Sequence, residues 1–156
     1  MELLRAHDVE GIADVRRFPA SRRHPHFSRD ALETSLTAES IAYRHLPALG
    51  GRRTSRPDSP NTAWQVAAFR GYADYMASDD FARGLDALLA FASDRRVAVM
   101  CAEAQWWRCH RRLIADALVA RGIEVQHIMS STRAQPHELT SFARLDGHDV
   151  TYPGLI

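Results

Sequence analysis

The chain predicts a single-domain α/β fold, a mostly parallel sheet with helices on both faces. Short apolar or alternating runs at Ile12–Val15, Ile41–Leu46, Val97–Cys101 and Ile123–Met129 have the length and period of strands. Stretches with apolar residues at helical spacing separate them, and that alternation builds parallel sheets. At 156 residues the chain is long enough for one full core, and no repeat or internal boundary interrupts it.

The elements follow in order. Ile12–Val15 reads as a buried strand, and an Arg/Pro/His loop runs from it through Phe27. Ser28 is placed to cap a helix reaching Ala38, with Leu32 and Leu36 on one face. Ile41–Leu46 alternates as a strand. Residues 47–61 are rich in Pro, Gly, Ser and Arg, and a loop of this length points to function or disorder. Helical spacing returns over 62–77 through Trp64, Ala68 and Tyr72, and again over 80–92 through Phe81, Leu85, Leu88 and Leu89. Val97–Cys101 is an unbroken apolar run, which predicts burial on both faces. A helix over 109–121 places Leu113, Ile114, Ala117 and Leu118 inward and closes at Gly122. After the strand at Ile123–Met129, Asp146-Gly147 marks a hairpin turn.

Composition narrows the function classes. Apolar residues make up 46% and charged residues 25%, values of an ordinary globular chain. No run approaches the ~18 apolar residues that span a bilayer, so no membrane partner is expected. The first residues hold no apolar leader, and two cysteines without a CxxC pair suit a reducing compartment, so the expected location is cytoplasmic. Net charge is +1, too low for a general polyanion trap. All 20 basic residues are arginine. Residues 16–29 carry Arg16, Arg17, Arg22, Arg23, Arg29, His24 and His26 without an acid, and residues 44–56 carry Arg44, His45, Arg52, Arg53 and Arg56 likewise. Arginine's planar fork suits phosphate or carboxylate.

Residues 95–112 concentrate reactive groups. Both cysteines, Cys101 and Cys109, lie within ten residues together with His110 and Glu103. A strand, a loop and a helix N-terminus in succession is where open α/β sheets place their sites. Cys101 is either a core residue or a thiol at the strand end, and Cys109 either packs below Leu113 or is activated by the helix N-terminus with Arg108 and Arg111. A Cys-x5-Arg loop would need arginine at position 107, where Trp107 stands, so cysteine-phosphatase chemistry does not fit. Cys101, Glu103, Cys109, His110 and His127 are ligand types, yet their spacing matches no structural zinc pattern, and no metal or cofactor is expected. Glu103 and Asp14, each near a strand's carboxyl end, are an acid/base pair in prospect. Trp106 and Trp107 either wall a flat ligand or cover the core.

Asp14-Val15-Arg16, Pro19, Ser21-Arg22, Phe27, Leu46-Pro47 and Leu49-Gly50-Gly51 form one set of motifs. Phe69 to Met76, Met100 to Glu103, Cys109-His110-Arg111 and His127-Ile128 form a second. Together, over nearly the whole chain, they resemble the bacterial domain-of-unknown-function family numbered 488. The resemblance implies an α/β fold with the motifs converging at one end of the sheet. It implies no established reaction, and some members carry a loose DNA-repair label. Members of that family usually begin with a further strand ending in Gly-His-Ser and then a helix, whereas this chain opens on Glu2–His7, which resembles that helix. The expectation is therefore an uncovered backbone row beside Ile12–Val15, with either marginal stability or a homodimer in which a strand from a second copy covers the row.

The functional expectation is a site that binds or processes a phosphate-bearing ligand, a nucleotide or nucleic acid. Arg16, Arg22 and Arg111 would hold the anion, Glu103 and Asp14 would handle protons, and Cys101, Cys109 and His110 complete the reactive set. Ser21, Gly50, Gly51, Tyr72, Trp107 and Arg108 would contact the ligand. The alternatives are a non-catalytic nucleic-acid-binding accessory protein and a thiol-based redox protein centred on the two cysteines.

Overall fold

Three parallel strands organise the protein in a computed structural model that describes residues 1–20 and 23–154. β1 (Gly11–Asp14) is central, with β2 (Ala42–His45) on one side and β3 (Val97–Met100) on the other. Asp14 pairs with His45 across one ladder and with Met100 across the other, so all three strands end in register at one edge. The central position explains why every residue of β1 is buried. It also corrects one expectation: β1 is bonded on both sides, and no uncovered row lies beside Ile12–Val15.

The helices are α1 (Glu2–Ala6), α2 (Arg29–Ala38), α3 (Ala67–Tyr75), α4 (Asp79–Phe91) and α5 (Arg111–Ala120). Alternation along β1 sends Ile12 and Ala13 to opposite faces. Ile12 joins Val9, Leu32, Leu36 and Ile41 in a small cluster, against which Leu4 of α1 also packs. Ala13 and Val15 join the main core with Tyr72, Phe81, Leu85, Leu113 and Ile114 from α3, α4 and α5. The apolar run of β3 follows the same rule, Val97 and Val99 toward the main core and Ala98 and Met100 toward the small one. All four are nevertheless only half-buried, because an outer strand has one open edge.

Several boundaries differ from expectation for visible reasons. Ser28 sits at the start of α2 without a side-chain capping bond, whereas Ser78 accepts from the Phe81 amide and caps α4. Helix α3 starts only at Ala67, because Trp64 turns into the core against Tyr152 and Phe142 and its carbonyl receives the Arg70 guanidinium. Gly122 closes α5 with φ of 79°, a conformation glycine adopts freely. The strand expected at 123–129 is β4 (Gln126–Ser130), which pairs antiparallel with β5 (Arg133–Pro136) rather than entering the parallel sheet. The hairpin around Gly147 joins β6 (Arg144–Asp146) to β7 (Asp149–Thr151). The protein is thus α/β, with a parallel three-stranded sheet and two antiparallel pairs among the described residues. No helix among them is long and apolar enough to cross a membrane.

The long segment after β2 is held by α3. Tyr72 and Tyr75 donate to the carbonyls of Leu49 and Ala48, and Asp74 accepts from Ser59, Asn61 and the Arg56 amide. Gly71 permits the closest approach, since a Cβ there would lie 2.0 Å from the Arg53 carbonyl oxygen. This loop is a fixed wall.

Candidate active site

Because β1, β2 and β3 are parallel and in register, the loops leaving them emerge at the same edge. They enclose a cleft of about 730 Å³. Arg16, Arg17, Phe18 and Phe27 come from the first loop, Gly51 and Arg52 from the second, and Phe69 and Tyr72 from α3. The end of β3 and the start of α5 add Met100, Cys101, Glu103, Arg108, Cys109 and His110.

Asp14 does not face this cleft as a free acid. It is fully buried, and its carboxylate accepts from the Arg16 amide and guanidinium and from the Tyr43 hydroxyl. Burial alone would raise its pKa, but the bonds from Arg16 and Tyr43 outweigh that and hold it below the usual carboxylate value. The same bonds fasten Arg16, whose remaining arm reaches the Phe27 carbonyl. This pair shapes the first loop: a buried carboxylate locks the arginine that the loop wraps around.

The charges without an acid partner among the described residues lie elsewhere. Arg17, Arg52 and Arg108 are exposed cleft residues and make no ion pair among the described residues. Arg17 donates to the Arg52 carbonyl, and Arg52 itself has φ of 61°, unusual for a residue with a side chain. Among the described residues Glu103 is the one carboxylate lining the cleft; it is exposed and accepts the Gln105 amide. Arg17 and Arg52 belong to the acid-free basic stretches of the sequence, and that absence of acids was the available signal for them.

The two cysteines line the same cleft, with their sulfurs 2.7 Å apart as free thiols. The Glu103 amide points at Cys101 Sγ at 3.2 Å, and the Arg111 amide at Cys109 Sγ at 3.4 Å. His110 Nδ1 stands 3.5 Å from Cys109 Sγ, and its Nε2 lies 3.3 Å from the Val15 carbonyl. The hydrogen bond with Cys101, aided by His110, pulls the Cys109 pKa below its usual value against the opposing effect of burial. The same contact and burial push Cys101 up.

Other expected contacts fall into place differently. Gly50 backs onto Arg17, and Gly51 faces His110, where a Cβ would lie 3.0 Å from Nδ1. Tyr72 lines the cleft with its ring, 5.1 Å from that of His110, while its hydroxyl is engaged by Leu49. Arg111 donates to the Glu103 carbonyl, bracing the loop that carries Glu103. Neither tryptophan lines the cleft: Trp106 stacks on His127 at 3.8 Å, and Trp107 packs edge-on against Trp106 while remaining exposed. Ser21 and Arg22, both expected to bind ligand, lie outside the described residues. No three His, Cys, Asp or Glu side chains group as a metal site among the described residues.

Sequence reasoning missed a second polar cluster. Asp116, fully buried on α5, accepts from His137, from the Thr140 amide and from the Tyr152 hydroxyl. His137 donates to Asp116 from Nε2, and its Nδ1 lies 2.8 Å from His127 Nε2. The only sequence signal was an aspartate on the inward face of an otherwise apolar helix.

No curated protein and no solved structure matched the chain. A family model matched residues 1–118, which include every described cleft residue and stop short of His127–Ile128 and the tail that the motif reading also included. With that match across most of its length, the chain belongs to the family described as Domain of unknown function DUF488.

Proposed function

We propose that the cleft binds an anionic, phosphate-bearing ligand, a nucleotide or a nucleic-acid end. One observation carries the reading: among the described residues, Arg17, Arg52 and Arg108 surround a cleft that a single carboxylate, Glu103, shares with them. Clustered guanidinium groups without acid partners repel one another, and an anion relieves that repulsion through bidentate bonds. The left-handed backbone at Arg52 supports a functional role, since such conformations persist where neighbours impose them. In this reading Glu103 exchanges a proton with the ligand, and Asp14 acts by holding Arg16. We also infer that helices cover both faces of the parallel sheet, supported by the two clusters on either side of β1. The free thiols favour a reducing, cytoplasmic setting.

The test is thermal denaturation at low salt with inorganic phosphate, nucleoside phosphates and short single-stranded DNA. Phosphate-bearing ligands should raise Tm by mass action, and Arg108→Ala should remove most of that rise. A Tm indifferent to all three ligands would overturn the proposal. A steep dependence of DNA affinity on salt would identify a nucleic-acid strand rather than a mononucleotide.

A further inference from the structure

We propose that Cys101 and Cys109 are a redox-active dithiol that reduces disulfides entering the cleft. Burial accounts for a cysteine at position 109, but it does not account for two sulfurs eight residues apart meeting at 2.7 Å on a cleft wall. Nor does it account for their surroundings. Two backbone amides and the His110 ring point at the pair, and one of those amides belongs to the first turn of α5, where the helix dipole favours negative charge. The sulfurs need approach by only about 0.7 Å to reach the ~2.05 Å of a disulfide. Gly51, with no side chain to displace His110, leaves that ring room beside Cys109.

Electrostatics divide the labour between the two thiols. Cys109, which takes the Arg111 amide at the start of α5 and stands beside the His110 ring, is the thiolate, and Cys101 keeps the shared proton. Cys109 attacks one sulfur of a substrate R–S–S–R, a Cys109–S–S–R bond forms, and the departing R–S⁻ takes the Cys101 proton. Cys101, now a thiolate, attacks Cys109 Sγ. The Cys101–Cys109 disulfide forms, and the second R–S⁻ leaves to be protonated by solvent. Two electrons pass from the dithiol to the substrate, which departs as two thiols. Two equivalents of a different low-molecular-weight thiol reverse the exchange and restore the dithiol. A preference for anionic disulfides rests on the reading of the cleft arginines given above; the dithiol chemistry does not.

The experiment treats reduced protein with bis(2-hydroxyethyl) disulfide, which is neutral, or with oxidised glutathione, which is anionic, then alkylates and weighs the intact chain. Both thiols should disappear together, leaving no alkylation site and a mass lower by two hydrogens. Cys101→Ser should stop at a mixed disulfide on Cys109. A wild-type chain that stops at the mixed disulfide, or whose thiols alkylate independently, would overturn the proposal. At low salt, oxidised glutathione should react at least 10-fold faster than the neutral disulfide, and equal rates would overturn the anionic preference. The neutral disulfide reports on the sulfurs alone and the phosphate-induced Tm shift on the arginines alone, so failure of either reading is distinguishable.

Discussion

The cluster around Asp116 and the cleft above Cys101 are both polar, both touch α5, and differ in how their bonds are satisfied. At Asp116 every strong group has a partner inside the protein, and the aspartate, His137, Thr140 and Tyr152 close a buried circuit between α5 and the tail. At the cleft, Arg17, Arg52 and Arg108 have no acid partner among the described residues, and two thiols face each other on its wall. A buried polar circuit that closes on itself serves the fold, since each bond in it would be costly to leave unmade. Groups left open in a concave, partly exposed place are available to something from outside. Asp14 sharpens the lesson, because it lies at the cleft's edge of the sheet and still belongs to the closed kind.

The comparison breaks most readily at Asp116. Replacing it with alanine strands His137, the Thr140 amide and the Tyr152 hydroxyl, and the expected loss is about 3–5 kcal/mol by denaturant unfolding. A loss below about 1 kcal/mol would mean the circuit is not structural.

Acid tests the same circuit through His127. Burial, with the neighbouring His137 and Arg111, lowers its pKa from 6.5 to about 4, so the unfolded chain takes up that proton first. Stability from this group is therefore complete above pH 6.5 and declines as pH falls to about 4, by an amount on the order of 1 kcal/mol for a half-exposed ring. His127→Gln should flatten the stability profile in that window. The lowered carboxyls of Asp14 and Asp74 act further down, losing their contribution only below the ordinary aspartate range.

The smallest effect belongs to the open region. Arg52→Ala should change unfolding free energy by no more than about 0.5 kcal/mol while reducing the phosphate-induced rise in Tm. A large loss of stability there would show that Arg52 is bound into the structure after all and that the two regions do not differ.

Periodicity exposed most helices and strands, because the burial of Leu32 and Leu36 or of Leu113 and Leu118 is written in local spacing. Partnership was harder to read. β4 has a strand's composition, but nothing local says that its neighbour is β5 rather than β3. Arg16 and Arg17 are adjacent and alike in sequence, yet one is locked by Asp14 and the other opens on the cleft. Cys101 and Cys109 are eight positions apart, close enough for the sequence to mark them as a pair, though not to show that their sulfurs meet. Asp116 was illegible because all its partners come from the tail.

The parallel ladder that joins Gly11 to Val97 also sets an order of assembly. Joining residues so distant requires a large loop to close before either strand gains a partner, and such non-local contacts form slowly. The cleft's walls come from both ends of that loop, so they cannot meet until β3 docks. A chain emerging from the ribosome therefore carries Cys101 and Cys109 uncovered for a time, and refolding under oxidising conditions should yield disulfide-linked aggregates that refolding under reduction avoids.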